Sequence, residues 1–301
     1  MDVQKLKVTY DEDTGRKIIN GQYRIVRKIG QGLFGKVLLG QVIDHRECKD
    51  EFVAVKTINR IDKSQLMTKA YISQATKIKR EIQIMKETNH PNIVKLYQVI
   101  DDLKFDKILL ILEYCKFGEI DWKSYNHYAE KYQPVTSPGL TINKILRDVC
   151  LGLQYLHMCK IIHRDLKPLN LLINHDNTVK ISDFGVSLIL QNNTKDDTEL
   201  GKIVGTPAFF APELCQFVNN RYSTIDQVNN DKIDERIDLW SLGVILYCLI
   251  FHNLPFNGCN EYELFKNIVS EQLKFPAIKQ SSKVTTNDLE ELTLLKDLIK
   301  K

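Results

Sequence analysis

The sequence predicts an α+β chain of two lobes, a β-rich N-terminal lobe holding one main helix and an α-rich C-terminal lobe. Three observations point that way. Short β-rich runs alternate with Gly and polar breaks from Tyr23 to Val55, the spacing turns helical over 68–87, and beyond Gly118 the pattern becomes mainly helical. The predicted organisation is an N-terminal arm over 1–20, an N-lobe over 21–115 and a C-lobe over 116–301.

Taken in order, the first 20 residues are polar and charged, with a Thr14-Gly15 turn signal, and regular structure is expected to begin near Tyr23. The runs YRIVRKI, KVLLGQVI and EFVAVKTI then read as consecutive antiparallel strands, with a charged hairpin loop over 44–51. Ile72, Ala75, Ile78, Ile82 and Met85 recur at threes and fours, which is one face of a helix. IVKLYQVI and KILLILEY complete the β-rich lobe. In the second lobe, 142–157 and the apolar LWSLGVILYCLIF read as helices. Three stretches poor in apolar residues, 124–139, 191–200 and 219–235, are expected as surface loops.

A chain of 301 residues with 43% apolar content can bury a sizeable core. The net charge of +4, from 42 basic and 38 acidic residues, is too mild to mark nucleic acid as the main partner. No apolar run is long enough to span a bilayer, and the N-terminus lacks the apolar stretch of a signal peptide, so a cytoplasmic location, extending to the nucleus, is expected. The seven cysteines are scattered singly with no C-x-x-C pair, which argues against a zinc site and a disulfide framework.

Five motifs carry chemistry. GQGLFGKV at 30–37 lies between two predicted strands, where glycines let backbone approach phosphates and Val37 offers an apolar surface to a purine base. VAVK places Lys56 in an apolar strand, where a charge needs a partner; Glu81 on the following helix can supply it, and the pair would hold the α- and β-phosphates of a nucleotide. In HRDLKPLN, Lys167 stands two residues and Asn170 five residues after Asp165. Asp165 is placed to accept a hydroxyl proton, Lys167 to neutralise γ-phosphate charge and Asn170 to hold Mg²⁺. ISDFG follows, with Asp183 as a hard carboxylate for Mg²⁺. GTPAFFAPE at 205–213 closes a long polar segment in which Thr194 and Thr198 are candidate phosphosites. In DLWSLG, Asp238 heads an apolar helix and is expected to take hydrogen bonds from backbone amides around His163 and Arg164, as an anchor and not a catalyst.

On these motifs, in this order and spacing, residues 23–299 resemble the eukaryotic protein kinase family. The resemblance implies the bilobal protein kinase fold with ATP and Mg²⁺ in a cleft between the lobes. It implies Leu112 as gatekeeper, the backbone of Glu113 and Cys115 against adenine, and Glu119 near the ribose. Ile29, Gly30, Gln31, Gly32, Leu33, Phe34, Gly35, Lys36, Val37, Ala54 and Leu172 would complete the nucleotide surroundings. A packed spine would run through Met85, Leu96, Phe184 and His163, anchored by Asp238. Lys167, and Thr206 before Pro207, look like the Ser/Thr branch, so the partner is a protein substrate with a Ser or Thr acceptor.

ISDFGVS, GTPAFFAPELC and INGQYRIVRKIG resemble more narrowly the calcium/calmodulin-dependent protein kinase kinases, especially yeast relatives that phosphorylate the activation-loop threonine of AMP-activated-type kinases. Leu169 departs from the acidic residue of many basophilic kinases, which argues against recognition of an arginine shortly before the acceptor. Glu213 and Asp238 stand 25 residues apart, about a dozen more than is usual in the family, and the excess is expected as a surface excursion. The sequence stops inside an apparent helix, TNDLEELTLLKDLIKK, before the arginine that pairs with the glutamate at the Glu213 position in such kinases. A fragment or shortened product with a less stable C-lobe is expected, and no calmodulin-binding segment is seen. The alternative, a pseudokinase or scaffold, would be favoured by loss of Lys56, Asp165, Asn170 or Asp183, and all four are present. A small-molecule kinase is disfavoured by GTPAFFAPE.

Overall fold

In the computed structural model, residues 5–32, 35–45, 50–59, 69–123, 140–191, 196, 199–216, 233–276 and 286–301 are described. Leu33, Phe34, Thr194, Thr198 and the excursion at 219–231 lie outside them. The chain divides into two units, Met1–Lys116 and Phe117–Lys301.

The N-terminal unit is built on β1 (Val8–Tyr10), β2 (Lys17–Ile19), β3 (Tyr23–Gly32), β4 (Gly35–Val42), β5 (Phe52–Asn59), β6 (Leu96–Ile100) and β7 (Lys107–Glu113). They form one antiparallel sheet in the order β1-β2-β3-β4-β5-β7-β6. Among the described residues regular structure therefore begins at Val8, not near Tyr23, and the predicted N-terminal arm holds two strands. The turn signal closes a hairpin: the Asp11 carboxylate accepts the Thr14 amide at 2.8 Å and its hydroxyl at 2.6 Å, and Arg24 of β3 pairs with the same carboxylate at 2.7 Å. Ile19 thereby joins Tyr23, Val53, Val55, Ile100 and Ile111 in the core.

Helix α1 (Lys69–Glu87) buries Glu81, Ile84 and Met85, while Ile78 and Ile82 are only half-buried. The sequence reading missed Ile84, whose full burial contributes about 1.5–3 kcal/mol.

In the C-terminal unit, α2 (Ile142–Met158) starts at Thr141, whose hydroxyl accepts the Lys144 amide at 3.2 Å. Its Ile142, Ile145, Val149, Leu153 and Leu156 form the buried stripe. Helix α3 (Arg236–Phe251) is buried nearly all round, as its apolar run demands. Helices α4 (Glu261–Ser270) and α5 (Thr286–Lys300) follow. The short strands β8 (Gly118–Glu119), β10 (Leu171–Ile173) and β11 (Val179–Ile181) form one antiparallel sheet, and β9 (Ile161–Ile162) pairs with β12 (Leu188–Ile189). These strands frame the segment 163–187 that holds most of the motif residues. Among the described residues no helix is long and apolar enough to cross a membrane.

Candidate active site

The N-terminal unit carries a sheet face and an ion pair. Opposed residues of neighbouring antiparallel strands share a face, so the registers Val37↔Lys56↔Leu110 and Leu39↔Ala54↔Leu112 make two rows on one side of the sheet. One row carries the amine and the other is wholly apolar. Lys56 Nζ stands 2.6 Å from Glu81 Oε1, with the lysine side chain 26% and the glutamate 7% exposed. A carboxylate that deeply buried needs such a partner, and the pair directs the ammonium while leaving part of it accessible.

The β3–β4 pair brings Gly30 opposite Val37, Gln31 opposite Lys36 and Gly32 opposite Gly35. Ile29 is the extra residue of a bulge between Lys28 and Gly30. A Cβ on Gly35 would fall 1.7 Å from the Thr57 carbonyl oxygen, so this glycine answers to β5 itself, a constraint the sequence reading did not see. At the end of β7, Leu112 and Cys115 are buried, and the Glu113 amide donates to the Lys95 carbonyl at 2.9 Å.

The C-terminal unit carries its own cluster of motif residues. Asp165 Oδ2 pairs with Lys167 Nζ at 2.7 Å, and Oδ1 accepts the Thr206 hydroxyl at 2.8 Å. Lys167 also donates to that hydroxyl at 2.8 Å. The Asn170 amide nitrogen donates to the Asp165 main-chain carbonyl at 2.8 Å and to its carboxylate at 3.3 Å. With its nitrogen so placed, Asn170 offers its carbonyl oxygen as a hard donor. The Ser182 amide donates to the Asn170 main-chain carbonyl at 2.9 Å, which ties Asp183 to the same loop. Asp183 is exposed in the left-handed region at φ 64°, whereas Phe184 is buried edge-on to His163, centroids 5.5 Å apart. In the N-terminal unit Met85 and Leu96 are buried in their turn.

Around this loop the scaffold is held by main-chain bonds. The fully buried Asp238 accepts the amides of His163 and Arg164, each at 2.9 Å, and lies 2.9 Å from His157 Nε2. The Asp165 amide donates to His163 Nδ1, so Nε2 carries the proton given to the Ser182 carbonyl at 2.9 Å. Arg164, unassigned in the sequence beyond its motif, donates to the carbonyls of Val186 at 2.7 Å and Glu199 at 2.8 Å. Glu119 lies opposite Leu172 in the β8–β10 pair. Although Glu119 is exposed as a whole, partial burial, and then Asp121, raise its carboxyl above the ordinary value.

The donor set fits a magnesium nucleotide. Asn170 and Asp183 are hard oxygen donors, and Mg²⁺ takes one or two protein carboxylates together with phosphate and water. Among the described residues no group of three or more His, Cys, Asp or Glu is placed to hold a metal ion.

Comparison with known proteins gives a match to the family described as protein kinase domain over residues 23–301. The chain is 45% identical over 282 residues to Serine/threonine-protein kinase ssp1 of Schizosaccharomyces pombe, covering 92% of this chain and 40% of that protein. It is 42% identical over 320 residues to SNF1-activating kinase 1 of Saccharomyces cerevisiae, covering 100% of this chain and 28% of that protein. Serine/threonine-protein kinase TOS3 of Saccharomyces cerevisiae is 36% identical, with 100% and 52% covered. The chain thus spans between 28% and 52% of the length of these curated relatives.

Proposed function

The chain belongs to the protein kinase domain family, and from that premise we propose that it transfers the γ-phosphoryl group of ATP to a Ser or Thr hydroxyl of a protein. The observation that carries the reading is the Asp165 carboxylate, held by Lys167, Thr206 and Asn170 with lone pairs left to accept a proton. Lys167 sets a positive charge beside the developing γ-phosphate charge, and Thr206 fixes the carboxylate's rotation. Asn170 and Asp183 would hold Mg²⁺, which when bound neutralises phosphate charge. In the N-terminal unit Lys56, directed by Glu81, serves the α- and β-phosphates. The row through Ala54 and Leu112 takes the base, for which the Glu113 carbonyl and Cys115 amide are the polar anchors. With Lys56, Asp165, Asn170 and Asp183 all in place, phosphoryl transfer is favoured over a scaffold.

The substrate in this reading is the activation-loop threonine of an AMP-activated-type kinase, within cytoplasmic nutrient or energy signalling that extends to the nucleus. It is supported by the GTPAFFAPELC and ISDFGVS stretches and by similarity to a relative named for activating SNF1. The test incubates purified protein with labelled ATP, Mg²⁺ and a peptide bearing that threonine, beside Asp165→Ala. Equal incorporation by both proteins would refute phosphoryl transfer. Labelling of a generic substrate while the loop peptide stays unlabelled would refute only the substrate.

A further inference from the structure

The paired register of β4 and β5 runs from Gln41↔Phe52 to Val37↔Lys56. At the next step, Lys36 against Thr57, a side chain takes over. The Thr57 hydroxyl accepts the Lys36 amide at 3.1 Å and donates to the Lys36 carbonyl at 3.0 Å, across 21 residues of chain. Thr57 is 5% exposed, so these bonds form away from competing water. Immediately before Lys36 the Thr57 carbonyl occupies the place of a Gly35 Cβ, 1.7 Å from it, so only glycine lets the two strands approach this closely.

Alternation along β5 sends Lys56 and Thr57 to opposite faces of the sheet. Lys56 reaches Glu81 of α1 on one face, and Thr57 grips the start of β4 from the other. One dipeptide therefore fixes both the ammonium group and the near end of the glycine-rich strand pair. We propose that Thr57 is a positioning residue that sets the glycine-rich backbone at Gly35–Lys36 relative to the Lys56 amine, and so sets the affinity for the nucleotide phosphates. It touches no substrate and acts through Lys36. The proposal rests on the phosphoryl-transfer reading for its consequence but not for its geometry.

The experiment compares the full chain with Thr57→Val, which keeps the shape and removes both bonds, and Thr57→Ser, which keeps the hydroxyl. Amide hydrogen exchange at Lys36 is measured without nucleotide, and KM for ATP and kcat are measured on one peptide. Loss of two neutral hydrogen bonds corresponds to an effect of about tenfold. Thr57→Val should speed Lys36 exchange and raise KM for ATP by about that factor with kcat within about twofold, and Thr57→Ser should return both toward wild type. Wild-type exchange in Thr57→Val overturns the clamp. Faster exchange with unchanged KM overturns the positioning role, and an equal loss in Thr57→Ser assigns the effect to packing and overturns the hydroxyl's part. A wild-type chain with neither turnover nor ATP binding refutes the phosphoryl-transfer reading and with it the nucleotide half of the proposal, whereas wild-type turnover with a KM for ATP that Thr57→Val leaves unchanged refutes the proposal alone.

Discussion

The Thr206 hydroxyl and the Asp165 carboxylate stand 2.8 Å apart across 41 residues of chain, and the same hydroxyl accepts from Lys167 at 2.8 Å. One oxygen thus donates to the proposed base and accepts from the proposed phosphate-facing cation, which fixes both rotamers at once. Thr206→Val keeps the volume and removes both bonds. It should lower kcat by at least about tenfold while the urea midpoint moves little, and Thr206→Ser should keep most of the activity. Steady-state kinetics on a threonine peptide decides it; an active Thr206→Val would mean that Asp165 is held adequately by Asn170 and Lys167.

Lys56 and Glu81 make an asymmetric pair, the carboxylate 7% and the lysine 26% exposed. Lys56→Met leaves a buried acid unpaired, whereas Glu81→Gln leaves an ammonium that reaches water. Because the lysine is partly solvated, Lys56→Met should cost about 1–3 kcal/mol, below the range for a fully buried pair, and Glu81→Gln less. Both should lose phosphoryl transfer. Lys56→Met with Glu81→Leu should regain the stability and stay inactive, a separation that urea titration beside a labelled-ATP assay would reveal.

How much of this was legible in the sequence depends on whether a residue's reason is local. Lys56 was legible because an ammonium in an apolar strand requires a partner, and Glu81 lay on the right helix. The face of α1 was read less well: Ile82 and Ile84 are two apart, and only the partner surface decides that Ile84 is the buried one. The hairpin of β1 and β2 was missed because three-residue strands of mixed polarity carry no alternation above background. Gly35 was read as space for phosphate although its constraint is the Thr57 carbonyl, and Thr57 looked like an ordinary β-former. Arg164 stayed unassigned because its partners are main-chain carbonyls, which every residue has. Asp238 was legible despite main-chain partners, because a carboxylate heading an apolar helix must find donors, whereas Arg164 and Thr57 carry no such demand in the sequence.

Two thiols give the chain a pH dependence. Cys215 and Cys248 are fully buried, and burial pushes each up to about 12 from an ordinary value of 9.0, with Glu213 adding to the effect at Cys215. Above about pH 9 the unfolded chain releases protons that the folded chain keeps, so stability is intact below that pH and falls as pH rises toward 12. Urea midpoints should decline from pH 9 upward, less steeply in Cys215→Ala with Cys248→Ala. A slope indifferent to both substitutions would assign the effect elsewhere, and in the native state at pH 8 iodoacetamide should spare these two and reach the exposed Cys159.

Gly205 precedes Thr206 at φ 112°, and a Cβ there would lie 2.5 Å from the Arg164 carbonyl oxygen and 3.3 Å from Asp165 Oδ1. Gly205→Ala therefore meets two costs, the backbone conformation and a clash with the loop that carries the base. Gly15 separates them, because it sits at φ 64° with nothing within 4 Å of its Cβ position. Gly15→Ala should cost about 1 kcal/mol and leave kcat unchanged, since only the backbone term applies. Gly205→Ala should cost about 1–3 kcal/mol and also lower kcat by at least about tenfold, because Thr206 must move with its neighbour and the distance to Asp165 opens. Equal effects of the two substitutions on kcat, measured where both proteins remain folded, would show that the approach of Gly205 to Arg164 has no bearing on the geometry of the base.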